Sequence, residues 1–258
     1  MGNGNITTLV LPAAGLGTRM RETYPDLPKE LLPLGNRRII DFALLEAEDA
    51  GMERVVVILN KNKQALRDHL DSSGSRFELV FVMQDTQDGE CDAIASARPV
   101  IGTAPFAVLY PDNVGYPCPG MLRQVCRAHA HTGLDCVALM AVKPENAPGI
   151  SNSGRVDLER GPEKNTFNII GFPKKGSGPF QPRFAGEMRS CGLYVALPHL
   201  FDFIEETRRL GYEGELTDGK VRRVMLEQGI PFVGAPLDVE VFDVGNPIGY
   251  AACREILS

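Results

Sequence analysis

The chain of 258 residues is 43% hydrophobic and carries a formal net charge of −6. That length and apolar content suffice to bury the core of one α/β domain, while the acidic balance excludes the broad basic footprint on which nucleic-acid binding relies. No apolar run approaches the roughly 18 residues of a membrane span, and the first residues lack the basic start and apolar stretch of a signal peptide, so a cytoplasmic protein with neither nucleic-acid nor membrane partners is expected.

In chain order, the first strand is predicted at residues 9–11, and it runs into the glycine-rich turn Ala13-Ala14-Gly15-Leu16-Gly17-Thr18-Arg19. An apolar strand that stops at glycines leaves backbone N–H groups free to face an anion and lets the backbone approach phosphates where a Cβ would clash. By itself such a stretch is an ordinary strand-to-loop turn; Pro28-Lys29-Glu30 shortly afterwards adds a second cation to the Arg19 charge. Two familiar phosphate loops do not fit: the dinucleotide fingerprint needs a third glycine where Met20 stands, and the P-loop pattern is absent.

Ile39, Ile40, Ala43, Leu44 and Ala47 recur at helical spacing among acidic residues, with Gly51 where a C-terminal cap belongs. Strands are predicted at 55–59, 79–82, 106–109 and 137–142, with helices between them. Residues 55–59 are apolar on both alternating faces, as in a strand covered on both sides. Strands joined through helices favour parallel pairing, so the first half of the chain is a doubly wound α/β unit. Between residues 149 and 187 the pattern weakens into glycine, proline and charge, with short strand-like runs at 155–158 and 167–172. This segment reads as an inserted lobe, either an acceptor pocket or a surface excursion. Strand and helix patterns return at 191–196, 198–209, 221–228 and 231–235. Six cysteines without a C-x-x-C pair indicate reduced thiols rather than zinc or a disulfide framework.

Asp112 follows an apolar strand and Pro111, which places it at the carboxyl end of a sheet strand, where open α/β sheets bind ligands. A carboxylate there suits a hard cation such as magnesium. Gln84, after the strand 79–82, offers an amide donor and acceptor, and Gly89 permits close backbone approach, though a glutamine after a strand assigns no ligand by itself.

Gly15-Leu16-Gly17-Thr18-Arg19-Met20 followed by Pro28-Lys29-Glu30 resembles the signature loop of the sugar-phosphate nucleotidyltransferases, the uridylyl- and thymidylyltransferases that make nucleotide sugars. Pro111-Asp112-Asn113, Val241-Phe242-Asp243-Val244-Gly245 and four further stretches extend the likeness: Ser153-Gly154-Arg155-Val156, Cys191-Gly192-Leu193-Tyr194, Glu213-Gly214-Glu215-Leu216-Thr217-Asp218, and Gly245-Asn246-Pro247-Ile248-Gly249-Tyr250. The match thus runs over most of the chain.

The resemblance implies a mainly parallel, Rossmann-like doubly wound sheet of the nucleotide-diphospho-sugar transferase type, one domain over 1–258 with an acceptor-binding insert around 149–187. It implies a magnesium-dependent enzyme that joins a nucleoside triphosphate, UTP or dTTP, to a hexose 1-phosphate and releases pyrophosphate. In that reading Lys29 acts at the α-phosphate and Arg19 at the β- and γ-phosphates, Asp112 and Asp243 hold Mg²⁺, and Ala13, Ala14, Gly15, Gly17, Thr18, Gln84, Gly89, Gly154, Lys174, Gly192 and Glu213 line the substrates. One departure stands out. Where such enzymes carry Glu-Lys-Pro in the insert, this chain has Gly171-Phe172-Pro173-Lys174-Lys175, so either a neighbouring lysine takes the acceptor phosphate or the acceptor differs. Glu90, Cys91 and Asp92 also depart from both branches, which leaves uracil, thymine and cytosine open. A nucleotide-binding regulatory subunit without catalysis is the alternative from another class. The sequence is compatible with a homo-oligomer and fixes no oligomeric state; with its end soon after Asp243, no appended acyltransferase or repeat domain is expected.

Overall fold

The computed structural model describes residues 6–85, 89–161, 165–176, 180–212 and 214–257. Its strands are β1 (Thr8–Pro12), β2 (Pro33–Leu34), β3 (Arg37–Arg38), β4 (Arg54–Leu59), β5 (Glu78–Met83), β6 (Phe106–Leu109), β7 (Asn113–Tyr116), β8 (Asp135–Ala141), β9 (Asp157–Arg160), β10 (Phe167–Gly171), β11 (Met188–Ala196), β12 (Phe232–Pro236) and β13 (Glu240–Asp243). The helices are α1 (Thr18–Arg21), α2 (Ile39–Asp49), α3 (Gln64–Asp71), α4 (Glu90–Ser96), α5 (Arg98–Ile101), α6 (Met121–Thr132), α7 (Leu200–Arg209), α8 (Asp218–Glu227) and α9 (Pro247–Ile256).

Nine strands form one sheet in the order β5-β4-β1-β6-β11-β8-β12-β10-β9. β5, β4, β1 and β6 are mutually parallel, as are β8 and β12; β11 runs against both β6 and β8, and β10 against both β12 and β9. The expected mainly parallel, doubly wound α/β architecture is therefore present, with two reversed strands in its second half.

Alternation along the strands builds the two layers. Leu9, Leu11, Val55, Val57, Leu59, Ala107 and Leu109 face one core with Ala43, Leu44 and Ala47 of α2 and Leu122 and Val125 of α6. Val10, Val56, Ile58, Phe106 and Val108 face the other with Ile94, Leu200, Phe201, Ile204, Val221 and Met225 from the helices α4, α7 and α8. A strand apolar on both sides needs helices on both sides to leave water, and that burial supplies most of the driving force for folding. The expected cap of α2 is present too: Gly51 adopts φ 72°, a left-handed conformation that a glycine enters without a Cβ penalty.

The 149–187 segment does not stand apart from the sheet. β9 and β10 extend it beyond β12, with Val156, Ile169 and Phe172 buried in the second core and Phe180 in the first. A third, smaller core brings Met20, Leu32, Leu34 and Phe42 against Val114, Phe242, Val244, Tyr250 and Cys253, so the two-stranded β7–β13 ribbon and α9 are packed beside the glycine-rich turn. Among the described residues no helix is long and apolar enough to cross a membrane, and all six cysteines are free thiols.

Candidate active site

Because β1, β4, β5 and β6 are parallel, their carboxyl ends lie along one edge of the sheet, and each is followed by a polar segment. β1 leads to Ala14–Arg19, β4 to Asn60, β5 to Gln84 and β6 to Asp112. The segments after β1, β5 and β6 border a cleft of about 1310 Å³, while Asn60 is buried behind it. Ala14, Gly15, Gly17, Thr18, Arg19, Lys29, Gln84, Gly89, Asp112, Gly154, Lys174, Gly192 and Asp243 all line it, although they are drawn from opposite ends of the chain. Ala13 does not. Its side chain is buried in the core and its N–H donates to the Ile58 carbonyl at 2.9 Å, so it forms the base of the turn rather than its surface. Glu213 and residues 86–88 lie outside the described residues.

The turn has the character that its glycines suggest. Among the described residues the N–H groups from Ala14 to Thr18 donate to no backbone carbonyl, Gly17 adopts φ 63°, and a Cβ there would meet the Lys29 side chain at 3.3 Å. Asn60 donates to the Ala14 carbonyl and pins the turn to the end of β4. Below it Lys63 and Glu30 form an ion pair at 2.5 Å, their side chains only 4% and 1% exposed. Glu30 is therefore turned away from the cleft and fixes the short helical turn Lys29–Leu31 that carries Lys29. Neither Asn60 nor Lys63 carries a sequence signal that marks it as a support.

Lys29 Nζ lies 2.5 Å from Asp112 Oδ2. Burial favours the neutral lysine, yet the charges of Asp112 and Glu30 outweigh it and hold the ammonium more firmly protonated than usual. Asp112 is the mirror case: burial pushes its carboxyl up, but Lys29 and then Arg19 bring it below the ordinary value. Asp243 reaches the same place through the ribbon. It pairs with Asn113 in the β7–β13 register, the following N–H of Val244 donates to the Asp112 carbonyl at 2.8 Å, and a Cβ on Gly245 would fall 2.6 Å from Asp112 Oδ2. Burial and then the neighbouring Asp112 charge push the Asp243 carboxyl up. Two carboxylates whose charges oppose one another are a site that a divalent cation would relieve.

On the β5 side, Gln84 is 8% exposed and its amide nitrogen donates to the Gly89 carbonyl at 3.3 Å and to Asp92 Oδ2 at 3.1 Å. Gly89 has φ 121°, and any Cβ would lie 2.6–2.9 Å from Glu215 and the Leu216 backbone, so only glycine fits. Next to it is a partly buried cluster that sequence reasoning did not assemble. Glu90 Oε1 accepts from the Asp218 N–H at 2.8 Å, Asp218 pairs with Arg222 at 3.1 Å, and Arg222 stacks on the Tyr194 ring at 4.0 Å. Burial, then the Asp218 charge, pushes Glu90 up to about 8.

The remaining wall is formed by the 149–192 region. Gly192 accepts from the Tyr110 N–H at 2.7 Å, and a Cβ there would strike Asn113 and Tyr110. Lys174 and Lys175 stand exposed at the rim. Phe172 is buried in the core, and a Cβ on Gly171 would lie 2.6 Å from Asp157 Oδ2, so neither position offers a polar side chain to the cleft. Arg189, not anticipated from the sequence, lines the floor.

The nucleotidyl transferase family model matches residues 8–256. The UTP–glucose-1-phosphate uridylyltransferase of Staphylococcus haemolyticus is 28% identical over 270 residues, which cover 95% of this chain and 90% of that protein. Among solved structures, UDP-glucose pyrophosphorylase complexed with UDP-glucose superposes with a TM-score of 0.84 at 25% identity, covering 97% of this chain and 98% of that one. The UTP-bound enzyme of the same kind from Acinetobacter baumannii shares the fold, with a TM-score of 0.77 at 21% identity over 97% of this chain and 93% of that one.

Proposed function

The chain belongs to the nucleotidyl transferase family, and from that premise we propose that it is a magnesium-dependent enzyme joining UTP or dTTP to a hexose 1-phosphate to give a nucleotide sugar and pyrophosphate. We take residues 1–258 as a single catalytic domain whose acceptor side is built by 149–187. The observation that carries this reading is the meeting of Lys29, Arg19, Asp112 and Asp243 beside a turn of undonated N–H groups.

The reaction brings two polyanions together. An oxygen of the acceptor phosphate attacks the α-phosphorus, the bond from that phosphorus to the bridging oxygen of the β-phosphate breaks, and pyrophosphate leaves with the electron pair. Positioning and charge neutralisation do most of the work in such a transfer. The turn Ala14–Thr18 cradles the triphosphate, with Arg19 on its β- and γ-phosphates through a fork that matches two oxygens. Lys29, held against Asp112 at 2.5 Å, offers a compact point charge to the α-phosphate. Gln84 and Gly89 face the base, and Gly154 and Gly192 admit the acceptor beside Lys174 on the rim.

Asp112 and Asp243 fit magnesium: both are oxygen donors, and two carboxylates plus substrate phosphates are its habitual shell. When bound, the ion supplies Lewis-acid charge neutralisation at the α-phosphate. Relatives with names that specify UTP and glucose 1-phosphate support the choice of substrates. Phe172 in the core and the closed space at Gly171 favour a second reading with the same chemistry and another phosphorylated acceptor, or CTP.

The test is pyrophosphate release with magnesium across UTP, dTTP, CTP, ATP and GTP, each paired with several sugar 1-phosphates. Lys29→Ala should lose about 3–4 kcal/mol of transition-state stabilisation, a few hundred-fold in rate. Triphosphate binding without turnover for any pair would instead support a silent regulatory subunit.

A further inference from the structure

We propose that Arg189, on β11, is the direct ligand of the acceptor's phosphate, so that the two phosphate groups joined in the cleft are held by cations from opposite walls. This rests on the transfer reaction proposed above. Arg189 is only 6% exposed, yet it lines the cleft. Its hydrogen bond among the described residues runs from Nε to the carbonyl of its own neighbour, Ser190, at 3.0 Å. Neither Nη group donates to a described residue, and Arg189 forms no ion pair among them.

The other cations of the cleft are occupied or exposed. Lys29 is paired with Asp112, Arg222 with Asp218, and Arg155 with Glu187 and the Gln181 carbonyl; Lys174 and Lys175 stand in solvent. A guanidinium buried with its Nη donors unpaired is costly, and proteins rarely leave such donors open unless a ligand completes them. Burial accordingly depresses the Arg189 pKa, opposed by the charge of Asp243.

Its surroundings suit a phosphate. Gly154 lies in the left-handed region at φ 74°, and a Cβ there would crowd Arg189 Nη2 at 3.1 Å; the absent side chain leaves the fork open. The centre of the Phe180 ring lies 5.9 Å from the guanidinium carbon. Arg189 and Asp243 line the same cleft as the glycine-rich turn, so an anion held by Arg189 shares that cleft with the triphosphate. The planar fork can hold two phosphate oxygens, leaving a third to attack.

Arg189→Met and Arg189→Lys in the full chain test this. The acceptor used is the sugar 1-phosphate of highest turnover in the panel, or glucose 1-phosphate where none reacts. The Met variant should raise the acceptor KM about 10- to 100-fold, as loss of a charge-assisted contact does, with the triphosphate KM within about twofold and Lys intermediate. An unmoved acceptor KM, or equal rises in both KM values, overturns the proposal. If the Met variant does not fold, the Lys variant decides by the same split. Calorimetric titration with the acceptor separates the two readings. A parent that binds it without turnover, and loses binding in the variant, refutes the transfer reaction but keeps Arg189; a parent that neither binds nor turns over refutes both.

Discussion

Glu90 combines burial with acidic neighbours in a way that makes its protonation a property of the fold. Its carboxyl is raised from the ordinary 4.5 to about 8 by desolvation first and Asp218 second, so the folded protein holds a proton there that the unfolded chain releases. The folded state then binds more protons between those limits, and stability falls as pH rises, by up to about 1.4 kcal/mol per pH unit. The contribution is complete below pH 4.5 and lost above 8. Chemical denaturation of the parent from pH 5 to 8 should show this decline, and Glu90→Gln, which keeps an acceptor for the Asp218 N–H, should flatten it. An unaltered pH slope in the variant would assign the decline to other groups. The sequence marked Glu90 only as a departure from its relatives; the proton followed from Asp218 and Glu215, more than 120 positions away.

At the scale of elements, the supports of the glycine-rich turn matter as much as the turn. Lys63 precedes α3, and its ion pair with Glu30 fixes the segment carrying Lys29 from beneath. Burial depresses Lys63 and Glu30 counters it. Removing one member of a buried pair strands the other charge, so Lys63→Met should destabilise the protein by about 3–5 kcal/mol, and adding Glu30→Gln should restore a large part of that. Urea denaturation of the two variants checks this; a double variant no more stable than the single one would refute it. The last residue of Pro28-Lys29-Glu30 thus serves structure while its middle one faces the cleft. Glu46 of α2 works similarly, accepting the N–H groups of Gly120 and Leu122 at 3.0 and 2.9 Å and so capping α6. Helical spacing located α2, but its buried Glu46 fell among the acidic residues of an amphipathic helix.

Across the whole molecule, the site depends on the C-terminal segment closing over the start of 149–187. Gly249 on α9 and Gly149 approach so closely that a Cβ on Gly149 would lie 3.0 Å from Gly249, while one on Gly249 would fall 2.3 Å from the Asp243 carbonyl. No backbone can yield by that amount without moving Asp243. Gly249→Ala should therefore raise the magnesium concentration for half-maximal turnover several-fold, a shift read directly from a metal titration. Unchanged metal dependence with full stability would show that α9 does not set the carboxylate pair.

Much of this protein was legible in its sequence because the signals were local. Alternating apolar strands, the helix closed by Gly51, and the loop from Gly15 to Lys29 depend on neighbours within a few residues, and parallel pairing then carries Ala14, Gln84 and Asp112 to one edge of the sheet. Burial and long-range pairing were not local. Only the tertiary structure turned Ala13 inward, brought Asp243 to Asp112 through the β7–β13 ribbon, merged 149–187 into the main sheet, and left Arg189 buried with its donors open, because each follows from which distant segment excludes water from the other.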